Sequence, residues 1–148
     1  MSIVVRTLSR EEFSQALAIR IKVFVDEQNV PIEEEQDQLD DTATHFGAFT
    51  SGQMVGTGRL VVQPTRGKIG RMAVAKEARG QGVGRALLTA IVNECRRLEL
   101  PQAYLSAQLH AIPFYEQLGF QVNSGEYLDA GILHKDMILD IQSASAGS

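Results

Sequence analysis

Arg79-Gly80-Gln81-Gly82-Val83-Gly84-Arg85-Ala86-Leu87-Leu88 sets a glycine at every second position between two arginines, then passes into an apolar helical pattern. Residues 68–74 read as the strand before it. Val83, Leu87, Ala90, Ile91, Glu94, Cys95 and Leu98 form one mostly apolar stripe of the helix after it. A strand, a glycine turn and a helix start make an anion site. The first N–H groups of a helix lack internal partners, and the helix dipole favours negative charge there. Glycine lets an anion approach the backbone with no Cβ in the way. Arg79 and Arg85 add charge-assisted donors. The dinucleotide fingerprint fails, because its third glycine falls on Arg85. The P-loop fails for want of Gly-Lys-Ser/Thr. A surface turn is the competing reading of the loop taken alone.

The rest of the chain supplies an α/β frame. Residues 3–6 read as a strand, and Ser9 with Glu12 as a capping box that starts a helix. Phe13, Ala16, Leu17, Arg20 and Phe24 fall on one stripe of that helix. Residues 26–42 are acidic and poor in apolar side chains, a loop or a broken helix. Residues 45–49 and 54–62 read as a hairpin turning at Ser51-Gly52. Gly56 and Gly58 inside it mark a bulge or a close approach. A strand at 103–107, a helix at 111–118 capped by Gly119, and strands at 120–122 and 133–139 complete the sheet. No repeat or linker interrupts the pattern, which predicts one mixed domain over 1–142 and a flexible tail over 143–148.

Composition narrows the function classes. The 148 residues are 44% hydrophobic and 22% charged, ordinary for a globular chain. A net charge of −4 argues against a general nucleic-acid surface. The lone Cys95 excludes an intrachain disulfide and a cysteine-rich metal site, which fits a reducing, cytoplasmic setting. No signal-peptide core and no membrane-spanning run is expected, and no metal.

Arg79-x-x-Gly82-x-Gly84 resembles the acetyl-CoA pyrophosphate loop of the GNAT superfamily of N-acetyltransferases. Arg71-Met72-Ala73-Val74 resembles the family's preceding strand, and Phe114-Tyr115-Glu116-Gln117-Leu118-Gly119-Phe120 its aromatic helix. The resemblance covers residues 69–120 in order and spacing. Arg20-x-x-Val23-Phe24-Val25-x-Glu27-Gln28, then Glu35-x-Asp37-x-x-x-Asp41 and His45, is similar to the ElaA- and YjcF-like branch. That branch tends to carry Gly-x-Pro-His-x-x-Met before the last strand; here Leu133 replaces the proline in Gly131-Ile132-Leu133-His134-Lys135-Asp136-Met137.

The resemblance implies a single-domain α/β fold with a strongly bent mixed sheet flanked by helices. Its central parallel strands, at 69–74 and 104–107, are expected to splay into a CoA cleft. It implies direct transfer of an acetyl group from acetyl-CoA to a primary amine of a small molecule. A non-catalytic acyl-CoA sensor and a protein lysine or N-terminal acetyltransferase are the alternatives, and a homodimer is left open. The implied cofactor-binding residues are Met72, Ala73, Val74, Arg79, Gly80, Gln81, Gly82, Val83, Gly84, Arg85 and Gln108.

Tyr115 is implied as general acid, against a packing role at helical spacing from Ala111 and Leu118. His134 is the matching base, with His45 and His110 as competitors. Arg20, Glu35, Asp37, Asp41 and His45 are the substrate-binding expectation. In it the acidic run is a field that draws a cationic amine, rather than a solvated loop. Cys95 reads as buried packing.

Overall fold

A computed structural model describes residues 2–35 and 37–141, so the tail expected at 143–148 lies outside the described residues. Eight strands form one sheet: β1 (Val4–Thr7), β2 (Thr44–Thr50), β3 (Gln53–Val62), β4 (Arg66–Val74), β5 (Gln102–Gln108), β6 (Gln121–Val122), β7 (Tyr127–Asp129) and β8 (Ile132–Asp140). The order is β1-β2-β3-β4-β5-β8-β6, with β7 also paired to β8. Among the described residues only β4 and β5 pair in parallel. Among the described residues no helix is long and apolar enough to cross a membrane.

Helix α3 (Val83–Arg97) covers one face of the sheet. Val83, Leu87, Leu88, Ile91, Val92 and Cys95 are its buried stripe, packed on Leu60, Ile69 and Leu105 from the strands. Each such side chain contributes roughly 1.5–3 kcal/mol when fully removed from water. Burial also pushes the Cys95 thiol up to about 11, so it packs as a small apolar group. The glycines of β3 let α3 approach. A Cβ on Gly56 would meet Val83 at 2.8 Å, and one on Gly58 would meet Ile91 at 2.8 Å. The close-approach reading of these glycines therefore holds, and the register of β3 with β4 shifts between Thr57 and Arg59, beside Gly58. Across that shift β4 carries the extra residue, and Arg71 there has φ +51°.

The opposite face carries α1 (Phe13–Arg20), a π-helical stretch (Ile21–Glu27), α2 (Ile32–Glu35) and a 3-10 turn (Gln38–Asp41). The capping box forms: the Ser9 N–H donates to Glu12, and the Glu12 N–H donates to the Ser9 hydroxyl. Hydrogen bonds from Arg6 and the Ser9 N–H hold the Glu12 carboxyl down at about 2. The described residues of 26–42 thus take the broken-helix alternative. β7 was not expected.

This layer is joined to the sheet by a ladder of charges. Arg20 donates from Nε to Glu35 at 2.6 Å and from Nη1 to Asp40 at 2.8 Å. Arg59 of β3 donates to Asp37 at 2.7 Å and to Asp40 at 3.1 Å. Arg71 donates to the Glu35 carbonyl at 3.0 Å, the Glu34 carbonyl at 3.2 Å and Asp37 at 3.3 Å. Burial disfavours charge on Asp37 and Asp40, yet hydrogen bonds from Arg59 and Arg20 hold both carboxyls below their ordinary value. A depressed folded-state value means the stabilisation is complete above the unfolded range, ~3.9 for Asp. It is lost as pH falls through the folded value.

Asp40→Asn leaves Arg20 and Arg59 short of a buried counter-ion, and is expected to cost about 3–5 kcal/mol and to flatten the acid side of the stability profile. Urea unfolding across pH measures both. An unchanged midpoint with an unchanged acid limb contradicts the role given to this carboxylate.

Candidate active site

The site begins where two strands part. β4 and β5 pair from Arg66↔Gln102 to Ile69↔Leu105 and no further. Beyond that point β4 stays with β3, through Thr57↔Ala73 and Gly56↔Val74. β5 stays with β8, through Ser106↔Asp136 to Gln108↔His134. The expected splay is present, and across it the two edges have no strand partner in one another, which leaves room for a ligand that bonds like a strand. Met72 stands in the bulge and lines the cavity, the Ala73 side chain is buried, and the Val74 carbonyl accepts from Arg79 at 3.0 Å.

The glycine loop opens at the same end. Gly80 and Gly82 have φ +78° and +87°, a region glycine enters without strain. Nothing lies within 4 Å of where a Cβ would stand on either. Gly82 is the N-cap of the 15-residue α3, and no side chain caps it. Its exposed N–H groups and bare glycines fit a pyrophosphate. Gln81 and Arg85 are exposed at this edge, Val83 is buried beneath it, and Gly84 lies over the Phe114 ring. Arg79 is already engaged, with Glu27 at 2.8 Å besides Val74. It therefore braces the loop against the π-helical stretch as well as lending charge.

A cavity of about 430 Å³ runs from the split over the face opposite α3. Met72, Gln108, Tyr115, His134 and Asp37 of the expected site residues all line it. Tyr115 sits on α4 (Ile112–Gln117), its ring edge-on to Phe114 and Phe120. Burial raises its hydroxyl above the ordinary tyrosine value, so it stays protonated and able to donate. His134 is 8% exposed, and its Nδ1 lies 2.7 Å from the Ile132 carbonyl. A carbonyl only accepts, so Nδ1 carries the hydrogen, and in the neutral ring Nε2 is left with a lone pair. Tyr127 stacks on that ring at 6.1 Å. The Tyr127 hydroxyl is itself held by Ser106 and by Asp136, the latter at 2.6 Å. Gln108 donates to Gln28 at 2.8 Å and so ties β5 to the end of the π-helical stretch.

Four residues of the substrate-binding expectation do not line this cavity. The Arg20 and Glu35 side chains are each 1% exposed and bound to one another, and Glu35 borders an adjoining hollow that Gln108 and His134 also line. Asp41 is exposed and lines a different cavity, beside Leu8 and Phe13. His45 lines that one too, with Nε2 3.0 Å from the Asp40 carbonyl and its ring 4.5 Å from Phe13. The acidic run is not an open field, because Glu35, Asp37 and Asp40 face Arg20, Arg59 and Arg71. His110 does line the central cavity, exposed in a turn. Sequence reasoning missed Arg59, Arg71, Asp40, Lys68 and Tyr127. One signal was available for Arg59, a charged residue within an apolar strand pattern.

A family model described as the acetyltransferase (GNAT) domain matches residues 4–141. YjcF of Bacillus subtilis, described as an uncharacterized N-acetyltransferase, is 38% identical over 133 residues, 89% of this chain and 95% of the relative. A solved acyl-CoA N-acyltransferase from Pseudomonas aeruginosa is 32% identical with a TM-score of 0.81, over 93% of this chain and 98% of that one. Escherichia coli ElaA is 27% identical with a TM-score of 0.83, over 94% of this chain and all of that one. Sequence and fold therefore agree along nearly the whole length: this chain belongs to the GNAT family of acetyltransferases, in the branch of YjcF and ElaA.

Proposed function

We propose that the chain moves an acetyl group directly from acetyl-CoA to a primary amine of a small molecule. The observation that carries this reading is one continuous cavity. It opens at the parted strands and is lined by both Tyr115 and His134. A sensor of acyl-CoA needs neither side chain.

Acetyl-CoA supplies an acetyl group already activated as a thioester. The N–H groups over residues 80–85 and Arg79 hold its pyrophosphate, and the free edge of β4 from Met72 to Val74 takes the pantetheine arm. His134 Nε2 takes the amine's proton as nitrogen bonds to the acetyl carbon. The Tyr115 hydroxyl gives its proton to the sulfur as the carbon–sulfur bond breaks. Both side chains are ready for these roles before any ligand arrives, one by its tautomer and the other by burial.

Tyr115→Phe keeps the ring and its packing on Phe114 and Phe120, so acetyl-CoA affinity is expected to hold while kcat drops roughly 10²-fold. His134→Gln removes the lone pair that accepts the amine's proton, and is expected to lower kcat/KM for the amine roughly 10²-fold while acetyl-CoA affinity holds. Thiol-release kinetics measure both. A full-rate Tyr115→Phe or His134→Gln enzyme contradicts these assignments.

Gly82→Val places a branched side chain at φ +87° and fills the cradle above the helix start. Acetyl-CoA affinity by calorimetry is expected to fall at least about tenfold, with the core of the fold intact by circular dichroism. Unchanged affinity removes the loop from the cofactor site.

A further inference from the structure

The charge ladder is balanced, three arginines against three carboxylates, and so it draws no amine by itself. Lys68 stands apart from it. It lies on β4 level with Tyr104, half-buried in the cavity wall, its Nζ 5.9 Å from the centre of the Tyr104 ring. Among the described residues it has no carboxylate partner. An anionic group of a ligand in the cavity would supply that partner. Arg59 lines the same cavity, and its buried Nε–H also lacks a partner. Gly70 lies beside both and leaves the floor open, with nothing within 4 Å of a Cβ position. This end of the cavity is a positive pole.

The other end is negative. Asp129 is exposed on β7, lines the cavity with His134, and has no cationic partner among the described residues. Lys68 is level with Tyr104 and His134 with Gln108, positions four residues apart on β5. At the usual strand rise that is about 13 Å between Cα levels. The amine and carboxylate of an α-amino acid sit too close together to reach both ends.

We propose that the acceptor is a zwitterion, a primary amine joined through a flexible chain to a carboxylate or phosphate. The anion rests on Lys68 and the amine lies between Asp129 and His134. This rests on the acetyl-transfer reading above and names its substrate class. Asp129 attracts the ammonium, which gives its first proton to water before attack; His134 takes the second as nitrogen bonds to the acetyl carbon, and Lys68 sets how far along the cavity the nitrogen stops.

The test compares ε-aminocaproate, aminopentyl phosphate, glycine, pentylamine and cadaverine as acceptors by thiol release. It uses the wild type, Lys68→Met and Lys68→Glu. Binding of ε-aminocaproate to the CoA-loaded proteins is measured separately by calorimetry. For the wild type, kcat/KM with ε-aminocaproate or aminopentyl phosphate is expected at least about tenfold above pentylamine and glycine, the scale of one charge-assisted contact. The better of those two acceptors identifies the anion. Lys68→Met erases the advantage, and Lys68→Glu moves the preference to cadaverine. Equal kcat/KM for pentylamine and both anionic acceptors in the wild type, or an unchanged ratio in Lys68→Met, overturns the proposal and leaves acetyl transfer standing. If no acceptor releases thiol, yet ε-aminocaproate binds the wild type and not Lys68→Met, the anion site stands and acetyl transfer falls.

Discussion

The ladder that runs from Arg20 through Glu35, Asp40, Arg59 and Asp37 to Arg71 is the constraint on which the site depends. It spans two layers. One end lies in the helices before the first hairpin, and the other lies in the bulge of β4. Charges so buried persist only when each is paired and hydrogen-bonded, because desolvation costs several kcal/mol per ion. The geometry is accordingly well specified, and a shift of the helical segment would strand a charge. Arg71 shows the reach of this constraint. Its left-handed backbone costs about 1–2 kcal/mol for a residue with a Cβ. Its guanidinium has three hydrogen bonds to the facing segment that offset the strain. The bulge places Met72 beside the split, so the ladder helps shape the wall against which a thioester would lie.

The two faces of the sheet divide the work. The α3 face is a close-packed apolar core, and it fixes the glycine loop at the end of β4 by fixing the helix that follows. The other face is polar, and there the strands are allowed to part. A continuous ladder of hydrogen bonds between β4 and β5 would stabilise the sheet further and close the cleft. The Ser106–Tyr127–Asp136 hydrogen bonds and the stack of Tyr127 on His134 fix the plane of the His134 ring within the opening. Lys68 at one end of the cavity and Asp129 at the other stand outside the ladder's pairs.

What was legible in the sequence was local. The glycine loop, the amphipathic α3, the Ser9–Glu12 box and the Gly119 cap each rest on residues a few positions apart, and each formed. Tyr115 and His134 came from motif resemblance, and both line the cavity. The acidic segment was misread because its partners are distant in sequence: Arg59 lies 22 positions from Asp37, and Arg71 lies 34 from it. Composition showed the acids and not the arginines that meet them. Asp41 was chosen where Asp40 is the buried residue, for neighbours on a tight turn point in different directions. The short β7 has too few residues for a period to show. Lys68 looked like an ordinary strand cation until its wall of the cavity was in place.

Hydrogen–deuterium exchange of Arg71→Gly tests the central claim most directly. Glycine accepts φ +51° freely, so the substitution cuts the tether without adding backbone strain. If the ladder holds the bulge and the helical segment as one unit, amides at Glu34, Glu35 and Asp37 and those at Gly70 to Met72 exchange faster together, by about tenfold or more, while the α3 core keeps its protection. Faster exchange in one of the two segments with the other unchanged, or no change in either, would show that the bulge stands on its own and that the ladder does not shape the site.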